Sequence, residues 1–193
     1  MKINDLLNVL NVQKTTKVRR KMARMALCML LFGVSSCHDS YQEFCTQYPV
    51  SFVCDITYAP FNSVASMGQF LSVRLKANHT TYIVYNPALD KTTEEPVSEV
   101  EARSFVFGLG GLIIGQPYFN DGRSTYYAYD LACPHCDRAW ARLTIDALGN
   151  AACSHCEAVF DLNNGGIVVE GEGRPLYRYR VTQSSVNTLY VHN

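Results

Sequence analysis

The sequence has no net charge, with 17 Lys+Arg balanced by 17 Asp+Glu over 193 residues. Charged residues are few at 18%, while hydrophobic residues make up 48%, a balance that excludes wholesale disorder. The overall neutrality hides an uneven placement. Residues 1–36 hold seven basic side chains and one acid, Asp5, so the ten basic and 16 acidic residues from Cys37 onward leave the body at −6. An acidic body without a basic stripe argues against a nucleic-acid partner. Helical periodicity is also scarce; at most a short turn over 97–103 fits. The glycine cluster Gly108, Gly110 and Gly111 has no Gly-Lys-Ser/Thr after it and opens no helix, so it reads as a bulge or tight turn before a buried strand. No Ser-His-Asp or paired-carboxylate constellation is legible, which weighs against an enzyme with its own active site without deciding the matter. The length suits one domain with at most a small second lobe.

Long hydrophobic runs are missing where they would matter most. The apolar run Met25–Val34 stops at ten residues, and a membrane-spanning helix needs about 20. It follows the basic segment Lys17–Arg24 and leads into Val34-Ser35-Ser36-Cys37. That order is a charged n-region, a short h-region and small residues before a cysteine. The segment resembles the lipobox of bacterial lipoproteins. The resemblance implies a signal peptide over 1–36, acylation of Cys37, and a body held in the cell envelope, outside the cytoplasm, by its lipid. His38 stands where Asp would signal inner-membrane retention, which points to the outer membrane. Residues 37–48 read as a polar tether.

From Pro49 onward the text is β. Val50, Phe52, Cys54 and Ile56 alternate with Ser51, Val53, Asp55 and Thr57. Phe70–Leu75, Thr81–Tyr85 and Thr125–Tyr129 are rich in β-branched and aromatic residues. Asn86–Ser104, with two prolines and a mixed, mostly acidic charge run, reads as a surface excursion. Trp140 is expected to pack over the cysteine region.

Of the eight cysteines, Cys28 leaves with the signal and Cys37 takes the lipid. Cys45 and Cys54 are either a disulfide or two small thiols. The other four form Cys133-Pro134-His135-Cys136 and, after 16 residues, Cys153-Ser154-His155-Cys156. This C-x₂-C…C-x₂-C spacing suits a four-thiolate metal site. Two residues between thiols let one tight turn aim both sulfurs at one ion, and two such turns complete a tetrahedron.

The same letters fit a second register. Cys133-x-His135, followed after 17 residues by Cys153-x-x-Cys156, resembles the Rieske signature C-x-H…C-x-x-H. Phe160-Asp161, Gly165-Gly166, Gly171 or Gly173, and Pro175-Leu176 leading into Tyr177–Val181 also resemble the Rieske pattern, over about residues 105–181. Cys156 stands at the position of the second Rieske histidine. The resemblance implies an all-β fold over 49–193. A Rieske-like base sandwich would carry a small rubredoxin- or zinc-ribbon-like metal lobe at about 131–165. It further implies a [2Fe–2S] cluster on Cys133, Cys153, Cys156 and either His135 or Cys136, and electron transfer to an unidentified redox partner. The alternative is one Zn²⁺ or iron held by Cys133, Cys136, Cys153 and Cys156 as a non-redox staple. His155, inside the second loop, is expected to face solvent.

Overall fold

The computed structural model describes residues 43–119, 122 and 124–193. The expected signal segment over 1–36 and Cys37, the expected lipid site, lie outside the described residues. Among the described residues no helix is long and apolar enough to cross a membrane.

The chain is all-β, with one antiparallel ribbon of nine strands and a separate sheet of four. The large ribbon is built from β1 (Val50–Asp55), β2 (Gln69–Leu75), β3 (Thr81–Asn86), β4 (Lys91–Pro96), β5 (Val106–Phe107), β6 (Leu112–Gln116), β7 (Tyr127–Asp130), β12 (Arg178–Ser185) and β13 (Thr188–His192). Its order is β4-β3-β2-β6-β7-β12-β13-β1-β5. The small sheet comprises β8 (Leu143–Ile145), β9 (Asn150–Cys153), β10 (Val159–Asp161) and β11 (Ile167–Glu170), in the order β11-β10-β9-β8. All four of its strands are inserted between β7 and β12 of the ribbon.

The ribbon folds over on itself. Val50, Phe52 and Cys54 alternate inward along β1 and share a core with Leu71 and Val73 of β2, Leu112 and Ile114 of β6, and Leu189 and Val191 of β13. The ring of Phe52 meets Tyr82 of β3 edge-on at 6.1 Å, so strands far apart in the ribbon close one sandwich. The small sheet covers the opposite face of the middle strands. Phe70, Ile113, Tyr127 and Tyr129 point there and join Leu143, Ile145, Phe160 and Leu162 in a second core. Strands β6 and β7 are therefore buried on both faces, which is why Leu112–Ile114 and Tyr127–Tyr129 are unbroken apolar runs rather than alternating ones.

Three features depart from the sequence reading. The excursion 86–104 contains the edge strand β4, followed by a short helix, α1 (Glu99–Ser104), where a short turn was expected. Strand β4 pairs with β3 through its backbone while its polar side chains face solvent, so it leaves no hydrophobic period. A Ser98–Glu101 capping box holds the first turn of α1, which buries nothing. The lobe extends past Gly165, because β11 pairs with β10. Finally, the end of the tether is fastened to the body: the Cys45 amide donates to the Arg178 carbonyl at 2.7 Å, and Glu43 pairs with Arg178 at 3.4 Å. Cys45 and Cys54 are both free thiols, and Cys54 belongs to the first core, where burial pushes it up to about 12.

Candidate metal centre

The two Cys-x-His-Cys tetrads form two loops of matching geometry. In the first, the Cys133 amide donates to Ala141 O at 2.8 Å and the Asp137 amide to Cys133 O at 2.9 Å. In the second, the Cys153 amide donates to Ala158 O at 2.9 Å and the Glu157 amide to Cys153 O at 2.9 Å. The residue after each outer cysteine is left-handed, Asp137 at φ 52° and Glu157 at φ 61°. That conformation turns the chain sharply enough for both sulfurs of a loop to face inward. The amides of His135 and Cys136 are aimed at the Cys133 sulfur, and those of His155 and Cys156 at the Cys153 sulfur.

The four sulfurs lie within 4.8 Å of one another and form the metal-competent group among the described residues. Two contacts cross between the loops, Cys133 Sγ to Cys156 Sγ at 3.6 Å and Cys136 Sγ to Cys153 Sγ at 3.8 Å. All four are free thiols, far beyond the ~2.05 Å of a disulfide. A tetrahedral ion at about 2.3 Å from each sulfur requires sulfur–sulfur edges of about 3.8 Å. The donor set therefore fits a metal ion in both chemistry and spacing. His135 is outside the group; it is exposed, with its ring beside Gly173.

The thiols behave as a unit. Burial pushes Cys133 up to about 11, and burial together with the other three thiols pushes Cys136 up. Burial also works against a thiolate at Cys153, but the amides of Cys156 and His155 and the neighbouring thiols overcome it and lower its pKa. Cys153 is thus a thiol whose surroundings favour the charged form.

The inner cysteines, Cys133 and Cys153, are buried in the second core, while the outer pair, Cys136 and Cys156, are half-buried. The outer pair opens onto a cleft of about 260 Å³ walled by His135, Arg138, Trp140 and His155. Trp140 is 63% exposed and meets His155 edge-on at 5.1 Å. It forms the rim of the cleft rather than a cover over the lobe. His155 is exposed, as expected of its place in the loop.

Two supports have no sequence signal of their own. Asp137 Oδ1 accepts from Tyr48 Oη at 2.7 Å and from Tyr177 Oη at 2.6 Å, and these bonds hold its carboxyl below the usual carboxylate range. Arg174 donates to Pro134 O at 3.2 Å, contacts the Tyr177 hydroxyl and stacks over that ring at 4.8 Å. The first loop is thereby pinned to the end of the tether and to the segment entering β12. Below it, the fully buried Asp130 accepts four hydrogen bonds, from the amides of Leu109, Gly110 and Ala132 and from Tyr179 Oη. Burial pushes its carboxyl up against the pull of those donors. Asp130 ties the glycine turn to the strand that delivers Cys133. A Cβ on Gly108 would lie 2.3 Å from Asp130 Oδ2, so that turn needs glycine.

No family model and no curated protein matches the sequence.

Proposed function

We propose that the lobe binds a single tetrahedral metal ion, Zn²⁺ or iron, through Cys133, Cys136, Cys153 and Cys156. The sulfur spacing carries this reading. All six sulfur–sulfur separations fall within 4.8 Å. In a [2Fe–2S] cluster, sulfurs on different irons stand roughly 5.5 Å apart or more, because the iron–iron axis separates them. Four thiolates in a closed set are the usual donors of a structural zinc site. Bound there, the ion would draw both loops against the second core and fix the small sheet, whose four strands are only three or four residues long. Its chemistry is charge neutralisation by a Lewis acid, or one-electron exchange if the ion is iron.

The second reading is a Rieske-type [2Fe–2S] electron carrier. The observation that favours it is the insertion of the lobe between β7 and β12 of a β-sandwich, the arrangement implied by the resemblance over residues 105–181. Under either reading the body would be displayed in the cell envelope by acylation of Cys37. Palmitate labelling that is equal in wild type and Cys37→Ala would overturn the anchor.

Metal and acid-labile sulfide assays on the purified protein test the main reading. It predicts about one ion per chain and no sulfide. Cys136→Ser should lose the ion and His135→Ala should keep it. Iron with matching sulfide, lost on His135→Ala, would establish the Rieske register instead.

A further inference from the structure

We infer that the outer sulfurs, Cys136 and Cys156, are an oxidation site for small hydroperoxides, and that oxidation there ejects the ion through disulfides formed between the two loops. This rests on the mononuclear metal reading. Three observations carry it. The inner sulfurs are sealed in the core and the outer pair is half-buried, so one sulfur of each loop meets solvent. That pair lies on a cleft of about 260 Å³, several times the ~30 Å³ share of a water molecule, so a hydroperoxide can reach it. And both close sulfur contacts pair an outer sulfur with an inner sulfur of the other loop.

The chemistry then follows from position. A metal-bound thiolate keeps a lone pair for attack. Cys156 Sγ attacks the O–O bond of hydrogen peroxide; an S–O bond forms, the O–O bond breaks, and hydroxide leaves. Cys133 Sγ, 3.6 Å away, then attacks the oxidised sulfur. An S–S bond forms, the S–O bond breaks, and a second hydroxide leaves. Two thiolates have given two electrons to one peroxide, which becomes two waters after taking two protons from solvent. Attack at Cys136 proceeds in the same way, with Cys153 resolving from 3.8 Å. Each disulfide removes two of the four ligands and their charge, and the ion loses its site. Both close sulfur contacts cross between the loops, so the between-loop disulfides are the ones the geometry prepares. His135 and His155, at the same place in each tetrad, and Arg138 line the cleft beside the attacked sulfurs and can donate to the departing hydroxide.

The test treats the metal-loaded full-length protein with graded hydrogen peroxide. A colorimetric chelator follows ion release, dimedone traps sulfenic acids, and mass spectrometry maps the disulfides after cleavage at Arg138 and Arg142, which separates the loops. The expected result is dimedone on Cys136 and Cys156, peptides cross-linked as Cys133–Cys156 and Cys136–Cys153, and loss of the ion in step with the first cross-link. Met67, 62% exposed, is an internal dose marker through its sulfoxide. Within-loop disulfides, first adducts on Cys133 or Cys153, or an ion retained at doses that oxidise Met67 would each overturn the inference. Metal content measured beforehand separates the two claims. A chain isolated without an ion sinks the metal reading and this inference with it, whereas a loaded chain that fails the mapping sinks only the inference.

Discussion

Asp137 and Glu157 occupy the same left-handed position in the two loops, yet they stand in different chemical surroundings. Glu157 makes no side-chain hydrogen bond that would offset its conformation, whereas Asp137 accepts from Tyr48 and Tyr177. A non-glycine residue in that region costs about 1–2 kcal/mol, part of which a glycine loses again through its freer unfolded chain. Glu157→Gly is therefore expected to stabilise the metal-loaded protein by about 0.5–1 kcal/mol. Asp137→Gly relieves the same backbone but forfeits two hydrogen bonds to a charged acceptor, for a net loss of about 1–2 kcal/mol. Urea unfolding of the pair checks this; shifts of the same sign would contradict it. The choice of fourth ligand also belongs to this scale. Spacing alone leaves His135 and Cys136 as competitors. The matching hydrogen bonds of the loops place Cys136 as the counterpart of Cys156, and His135 as the counterpart of the exposed His155.

At the scale of elements, the centre depends on the junction where β7 leaves the ribbon and becomes the first loop. Asp130 fixes that junction with three amides and one hydroxyl. Removing the carboxylate strands several buried donors at once, so Asp130→Ala should cost about 3–5 kcal/mol. Asp130→Asn keeps one acceptor oxygen for Gly110 and Ala132 and should cost about 1–3 kcal/mol. Denaturant midpoints decide the order, and an Asn variant as unstable as Ala would contradict it. Strands with an apolar period, β1 to β3, and the doubly buried β6 and β7 were legible in the sequence because burial writes itself into side-chain pattern. Strand β4 was not, since backbone pairing holds it and leaves no such pattern. The turn expected over 97–103 is the helix α1, closed at its start by the Ser98–Glu101 capping box. Asp130 and the Tyr48–Asp137–Tyr177 cluster join residues far apart in the chain, a relation no local spacing can express.

For the whole molecule, the proposed metal binding would link folding of the lobe to protons. Surroundings push the Cys133 and Cys136 thiols up, so an ion bound there would displace their protons. Affinity should rise with pH and fall in acid, and the lobe's stability should follow it in the same direction. Competition with a chelator of known affinity between about pH 6 and 8 reads this slope. A pH-independent affinity would mean that thiols are not the ligands. The all-β architecture and the four cysteines were legible from composition and spacing, but the spacing of the four sulfurs was not. That spacing depends on how closely two loops approach across 16 residues, which the second core sets by packing β8–β10 against Phe70, Ile113 and Tyr129.

X-ray absorption at the metal edge of the loaded protein counts both the ligands and the neighbouring metals. A single ion on the four cysteines gives one shell of four sulfurs at about 2.3 Å, with no nitrogen and no metal neighbour. A metal–metal shell, or an imidazole contribution from His135, would contradict it.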